Sequence, residues 1–223
     1  MATVWEDLQL NGLGIYRDTD GFTYGHDAVL LSSFAKFRKN DTVLDLGSGT
    51  GILSVLIHAK TGASVDAVDI LEDACALAMK SVAKNGLSDV IRIHCSDIRQ
   101  LPCLGMMRSA YDGVICNPPY YSGGTESPDP SRAMSRHQID AGIEDFAACA
   151  ARMLKNGGKA YFCYPTAGLS RYCAAFEKEG LAVKRIRFVR SKAGRMPYLF
   201  LAEAKKGGGV GVVMEEDIIL EDL

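Results

Sequence analysis

Asn117, Pro118, Pro119 and Tyr120 follow directly on the apolar run Tyr111 to Cys116. A run of that kind stopped by two prolines reads as a buried strand that ends abruptly, because proline offers no amide to a sheet ladder. The first proline biases the residue before it toward extended geometry, so Asn117 is expected at the strand's carboxyl end with its side-chain amide aimed beyond the sheet. Open α/β sheets bind their ligands at that edge. The chemistry suited to these residues is methyl transfer to a flat amine such as the exocyclic amine of adenine, a poor nucleophile because its lone pair is delocalised into the ring. The Asn117 oxygen and the Pro118 carbonyl could accept both amine hydrogens, pulling the nitrogen toward tetrahedral geometry and exposing its lone pair. Tyr120 offers a face on which a flipped-out base stacks, a contact worth about 1–3 kcal/mol in single-stranded complexes. Read alone, the same four residues are also a structural Asn-Pro turn with a core tyrosine.

The elements that must position this motif are those of a nucleotide-binding sheet. Thr42 to Leu46 reads as a buried strand, Gly47-Ser48-Gly49-Thr50-Gly51 as a tight glycine turn and Ile52 to Ala59 as the helix behind it. The spacing is G-x-G-x-G, not the G-x-G-x-x-G of dinucleotide enzymes, which disfavours a pyrophosphate-bearing cofactor. Asp45 could accept from an ammonium group or order the turn. Ser64 to Asp69 is the next strand, and Asp69 ends it where such folds hold both hydroxyls of a ribose. Glu72 to Lys84 has helical periodicity and stops at Asn85-Gly86. Val90 to Cys95 is a third strand, with Ser96 and Asp97 at its end; Asp97 could meet an adenine amine of the cofactor. Acids at three successive strand ends are a stronger signal than any one of them.

Ile143 to Leu154 is predicted as an amphipathic helix closed by Asn156-Gly157-Gly158, Ala160 to Tyr164 as a strand, and Ala167 to Glu179 as a helix capped by Thr166. Leu181 to Val189 and Tyr198 to Ala204 complete the sheet, and so short a connection requires them to be antiparallel. The expected fold is α/β and Rossmann-like: a seven-stranded, mostly parallel sheet with a C-terminal antiparallel hairpin and a short N-terminal extension. Residues 1–40 are expected to be a hairpin and a helix, Ala28 to Phe37 capped by Asp27, folding over one end of the sheet as a lid or wall. Residues 41–205 form the main domain, and residues 206–223 an acidic tail or edge strand.

With 48% hydrophobic and 23% charged residues among 223, the composition is that of one ordinary globular domain. Met1 to Asn11 does not read as a signal peptide and no apolar run approaches a membrane span, so a cytoplasmic protein is expected. Seven cysteines without C-x-x-C spacing read as reduced, mostly buried thiols, and no metal is expected. The net charge of -2 argues against indiscriminate coating of nucleic acid. Lys184, Arg185, Arg187, Arg190, Lys192 and Arg195 nevertheless lie close together with no acid among them. They are expected to form a phosphate-contacting patch, the alternative being a solvated charged strand.

The glycine loop, Asp69, Asp97 and Asn117-Pro118-Pro119-Tyr120, in this order, resemble the class I methyltransferases that use S-adenosylmethionine, and among them the group that methylates planar amines. The leader Gly21-Phe22-Thr23-Tyr24-Gly25-His26-Asp27-Ala28-Val29-Leu30-Leu31 and the short chain resemble more narrowly the bacterial valine-tRNA adenine-N6 methyltransferase family. The resemblance implies S-adenosyl-L-methionine as cofactor, held by Asp45, Gly47, Gly49, Thr50, Gly51, Asp69, Ser96 and Asp97, and a target base held by Asn117, Pro118, Pro119 and Tyr120. It implies an RNA partner, most readily tRNA near the anticodon, with no obligate protein partner and no membrane. Arg132, Arg136 and His137, beyond a Ser-, Gly- and Pro-rich loop, are either RNA contacts or ordinary surface. The competing readings are a protein glutamine-N5 methyltransferase, which usually carries a helical domain ahead of the glycine loop, and a non-catalytic, cofactor-dependent RNA-binding protein.

Overall fold

The computed structural model describes residues 3–18, 26–104, 106, 108–119 and 141–222. Tyr120, the loop Tyr121 to Ser131, Arg132, Arg136, His137 and the leader segment Gly21 to Gly25 lie outside the described residues.

The strands of the main sheet are β3 (Thr42–Leu46), β4 (Ser64–Asp69), β5 (Ile91–Cys95), β6 (Tyr111–Cys116), β7 (Leu154–Pro165), β8 (Leu181–Arg190) and β9 (Leu199–Lys206). Two short strands of the tail, β10 (Val213–Met214) and β11 (Ile218–Ile219), pair parallel with β8, making nine strands where seven were expected. The order runs β10-β8-β9-β7-β6-β3-β4-β5. The pairs from β5 through β4, β3 and β6 to β7 are parallel, and β9 is antiparallel to both its neighbours.

Alternation along β3 assigns its two faces. Leu44 and Leu46 pack with α4 (Ile143–Met153) and α5 (Leu169–Lys178) in one cluster that includes Phe146, Tyr172 and Phe176. Val43 packs on the opposite side with residues of α1 (His26–Phe34) and α2 (Ile52–Thr61). Each large side chain buried this way contributes roughly 1.5–3 kcal/mol. The same period of two sends Asp45 to the Val43 side, toward α2.

Several boundaries differ from the sequence expectation for local reasons. Asp27 sits inside the first turn of α1 instead of capping it, and the helix stops at Phe34. Beyond it, the Asp41 carboxylate takes the Arg38 amide at 2.8 Å, closing a turn. Asn156-Gly157-Gly158 does not close α4 as a separate loop. It lies within β7, where the pairing with β6 jumps from Tyr111↔Leu154 to Gly113↔Lys159. Thr166 caps no helix: a 3₁₀ turn, Thr166–Gly168, precedes α5, and the Thr166 hydroxyl donates instead to the Pro197 carbonyl at 2.8 Å.

The leader hairpin, β1 (Thr3–Leu10) and β2 (Leu13–Asp18), docks against α3 (Glu72–Lys84). Asn85, at the end of that helix, donates to the Gly14 carbonyl at 2.7 Å and accepts from the Gly14 amide at 3.1 Å. Lys84 Nζ lies 3.9 Å from the centre of the Trp5 ring. The described part of the hairpin thus packs on the C-terminal end of a crossover helix, away from the carboxyl ends of the strands.

Candidate active site

The carboxyl ends of β3, β4, β5 and β6 meet at one rim. The loop after β3 crosses the end of β4, where the amides of Gly47 and Ser48 both donate to the Val68 carbonyl, at 2.8 and 3.0 Å. Gly47, Gly49 and Gly51 all have positive φ, +67, +54 and +84°, a region that L side chains rarely adopt. Around Gly49 there is also open space: a Cβ built there would meet nothing within 4 Å. Backbone can therefore approach a ligand closely at that point. The Asp69 carboxylate holds the loop in place, accepting from the Gly49 amide at 2.7 Å and from the Leu71 amide at 2.9 Å.

Beneath the loop Asp45 is fully buried, and Ser54 of α2 donates to its Oδ2 at 2.6 Å. Among the described residues its Oδ1 has no hydrogen-bond partner, and neither does the buried hydroxyl of Ser48. Burial pushes the Asp45 carboxyl up to about 7; the Ser54 hydrogen bond opposes the rise and the charge of Asp69 adds to it. Burial likewise raises Asp69, against the backbone donors of Leu71 and Gly49. An unpartnered buried carboxylate oxygen is costly on its own and suits a ligand that brings a cation or a donor. Together with the open cradle at Gly49, these atoms fit S-adenosylmethionine, which carries an ammonium group and ribose hydroxyls.

Thr50 lies within the same loop and is half-buried. The amide of Ser96, which follows β5, donates to the Asp69 carbonyl at 2.8 Å. The Asp97 carboxylate is gripped by Arg99, which donates through Nε at 2.9 Å to both oxygens and through Nη2 at 2.5 Å, and this holds the Asp97 carboxyl below its usual range. A cofactor amine at Asp97 would share the acid with that guanidinium.

Asn117 leaves the sheet at the end of β6 and is half-buried, Pro118 is buried and Pro119 exposed. The Cys163 thiol of β7 donates to Asn117 Oδ1 at 2.9 Å. Behind the motif, Phe37 packs directly against Gly113: a Cβ there would lie 2.1 Å from Cε1 of the ring. Sequence reasoning missed Ser54, Cys163 and Phe146, whose ring lies 3.6 Å from where a Gly47 Cβ would stand. Each is a small or apolar residue inside a regular element, and its type alone carried no signal.

The basic stretch is not the open phosphate-binding face that the sequence suggested. Arg185 turns inward, 14% exposed, its Nε 2.9 Å from Glu203 Oε2, its Nη1 2.9 Å from Glu215 Oε1, and its Nη2 donating to the Phe34 carbonyl at 3.0 Å. The tail takes three others: Lys184 donates to the carbonyls of Gly209 and Gly211 at 2.9 and 2.7 Å, Arg187 to that of Glu216 at 2.7 Å, and Arg190 pairs with Asp217. Lys192 pairs with Glu221 at 3.1 Å and, with Arg195, is exposed in the β8–β9 connection. The reason is tertiary: parallel pairing of β10 and β11 with β8 sets the tail's acids beside the strand's cations.

The sheet order and the glycine rim define the fold of a methyltransferase. Solved structures agree on the fold: a predicted O-methyltransferase from Agrobacterium tumefaciens aligns with a TM-score of 0.70 over 86% of each chain at 20% identity. TrmN from Thermus thermophilus aligns at 0.57 over 80% of this chain and 48% of its own, with 23% identity. The family model of the methyltransferase small domain matches residues 23–166. A relative from Phocaeicola vulgatus, named tRNA1(Val) (adenine(37)-N6)-methyltransferase, is 30% identical over 82% of this chain and 76% of its own. A Shewanella relative of the same name is 26% identical over 83% and 80%. The chain belongs to this family of small-domain methyltransferases. Among the described residues, no helix is long and apolar enough to cross a membrane.

Proposed function

We propose that the protein is an S-adenosylmethionine-dependent methyltransferase acting on N6 of an adenine in tRNA, the activity for which its relatives are named. The observation that carries this reading is the convergence, on one rim, of the glycine loop tied to Asp69, the unpartnered Oδ1 of Asp45 and the Asn117-Pro118 pair at the next strand end. When bound, the cofactor supplies an electrophilic methyl group on a sulfonium. Gly47, Gly49, Thr50 and Gly51 would cradle it by backbone, Asp45 would receive its ammonium, Asp69 would hold its ribose, and Ser96 and Asp97 would meet its adenine.

At the target, Asn117 Oδ1 and the Pro118 carbonyl accept the two hydrogens of the amine and direct its lone pair at the methyl carbon. Pro119 keeps the turn rigid, and Tyr120 stacks on the base. With the cofactor in place, methyl transfer from its sulfonium to the amine nitrogen would release the thioether, and the proton lost by the nitrogen would pass to water. Alignment and exclusion of water supply most of the rate, so no covalent enzyme intermediate is needed. Of the basic stretch, Lys192 and Arg195 at the tip of the β8–β9 connection are the residues that reach RNA, while the others hold the tail. The protein works where tRNA is, in the cytoplasm.

Incubation with methyl-labelled S-adenosylmethionine and, in separate reactions, undermodified tRNA, rRNA, DNA and protein tests the reading, followed by nucleoside and amino-acid analysis. The expected product is N6-methyladenosine from the tRNA arm. Label on glutamine of a protein, or on guanine, overturns it.

A further inference from the structure

Beside the rim lies a cavity of about 390 Å³ that shares Pro118 and Pro119 with the target site and extends from them to residues the reaction as described does not use. Its lining includes Pro118, Pro119, Phe146 and Tyr164, with Glu144 and Arg171 exposed at its edge. Asn117, the glycine loop, Asp69 and Asp97 are not part of that lining, so the space adjoins the reacting centre without being it. Its size falls within the range of small-ligand pockets.

Two glycines show that the walls are closely fitted. A Cβ on Gly168 would lie 2.4 Å from Cε1 of Tyr164, so the ring rests directly on that backbone. A Cβ on Gly142 would lie 3.0 Å from Glu144 Oε2 and 3.5 Å from Arg171 Nη2. The Arg171 guanidinium meets Glu144 in a two-pronged pair at 2.7 and 2.9 Å. With 62% and 49% of the two side chains exposed, such a pair adds little to stability, and its guanidinium can exchange partners at small cost. An arginine fork matches phosphate as well as it matches carboxylate.

Resting on the reading of the protein as a tRNA methyltransferase, we propose that this cavity receives a nucleotide flanking the target adenine, with Tyr164 packing against its base and Arg171 leaving Glu144 to hold its phosphate. A base lifted from its stack must be secured on both sides, because its neighbours lose stacking too. Aromatic rings and arginine planes are the usual means of holding single-stranded RNA. Arg171, Tyr164 and Glu144 are positioning residues here, and none touches the reacting atoms.

The test uses the full chain with an unmodified tRNA transcript, and measures KM for RNA, kcat, RNA affinity by fluorescence anisotropy across a salt series, and cofactor affinity. Arg171→Ala is expected to raise KM and the RNA Kd on the order of tenfold, and to reduce the log–log salt slope by about 0.7, the share of one single-stranded phosphate. Tyr164→Leu raises KM by a similar factor without changing the slope. Glu144→Gln moves KM the other way, because it frees the guanidinium. A pair that only ties α4 to α5 would give equal effects in Arg171→Ala and Glu144→Gln, with a matching drop in Tm. That result, or an Arg171→Ala variant within twofold of wild type, overturns the proposal. Failure of the methylation reading shows separately, as absence of N6-methyladenosine in the wild-type reaction, while the anisotropy arm still reads the subsite.

Discussion

The Cys163 thiol reaches from β7 to Asn117 Oδ1 across 2.9 Å, so the oxygen proposed to receive the substrate amine is oriented by a weak donor on the neighbouring strand. A thiol is a modest competitor, which suits a bond that must orient the amide yet yield to the substrate. Cys163→Ala is expected to lower kcat several-fold with unchanged cofactor affinity, and Cys163→Ser to restore most of it. Steady-state methyl transfer checks this. Equal rates in the alanine variant and wild type would show that Asn117 is held by other means.

The proposed function divides the labour between Asp69, at the cofactor, and Asn117, at the substrate. Asp69→Ala removes the acceptor for the Gly49 and Leu71 amides, so the loop loses its tie and cofactor affinity falls by roughly tenfold or more, the size expected for hydrogen bonds to a charged group. Asn117→Ala abolishes most turnover and leaves that affinity intact. Calorimetric titration of both variants distinguishes the two roles, and equal loss in both contradicts them.

Asp45 links stability to pH. Its carboxyl is raised from 3.8 to about 7 in the folded protein, so between those values the native state holds a proton that the unfolded chain has released. Stability of the cofactor-free protein therefore falls as pH rises through this window and levels off above 7, by on the order of 4 kcal/mol in full. Asp45→Asn flattens that part of the profile, measured as Tm against pH. A ligand cation at Oδ1 favours the carboxylate, so cofactor binding near neutral pH releases a proton, detectable by calorimetry in buffers of different ionisation enthalpy.

The acidic tail governs how much of β8 an RNA can meet. The combined changes Glu215→Gln, Asp217→Asn and Glu221→Gln uncover charge on Arg190 and Lys192 while keeping side-chain size, and leave Arg185 on Glu203. Affinity for RNA of any sequence should rise about tenfold at low salt, and the salt slope should steepen by about 0.9 for each new phosphate contact. An unchanged slope would mean that these cations stay committed to the protein.

The centre of the fold was legible because buried parallel strands write themselves as continuous apolar runs: Thr42–Leu46, Ser64–Asp69 and Tyr111–Cys116 stand where those runs predict, and so does Glu72–Lys84. Asp45 and Asp69 were legible as acids at strand ends. Arg185 was not, since a charged residue on a strand reads as solvated until its partners Glu203 and Glu215 are brought beside it by pairing that no local pattern encodes. The two-residue strands β10 and β11 are too short to carry a period. Glu144 and Arg171 are charges on separate amphipathic helices, and the packing of α4 on α5 joins them.

The acids of the tail lie outermost on the edge they cover, with the side chains of Glu215, Asp217 and Glu221 each meeting a cation of the strand beneath or its connection. A polyanion drifting toward that edge meets a positive field that the tail's carboxylates have partly cancelled. Encounters are thus winnowed by direction before any contact forms, and the exposed tip that carries Lys192 and Arg195 is the part of this edge left open to an approaching phosphate.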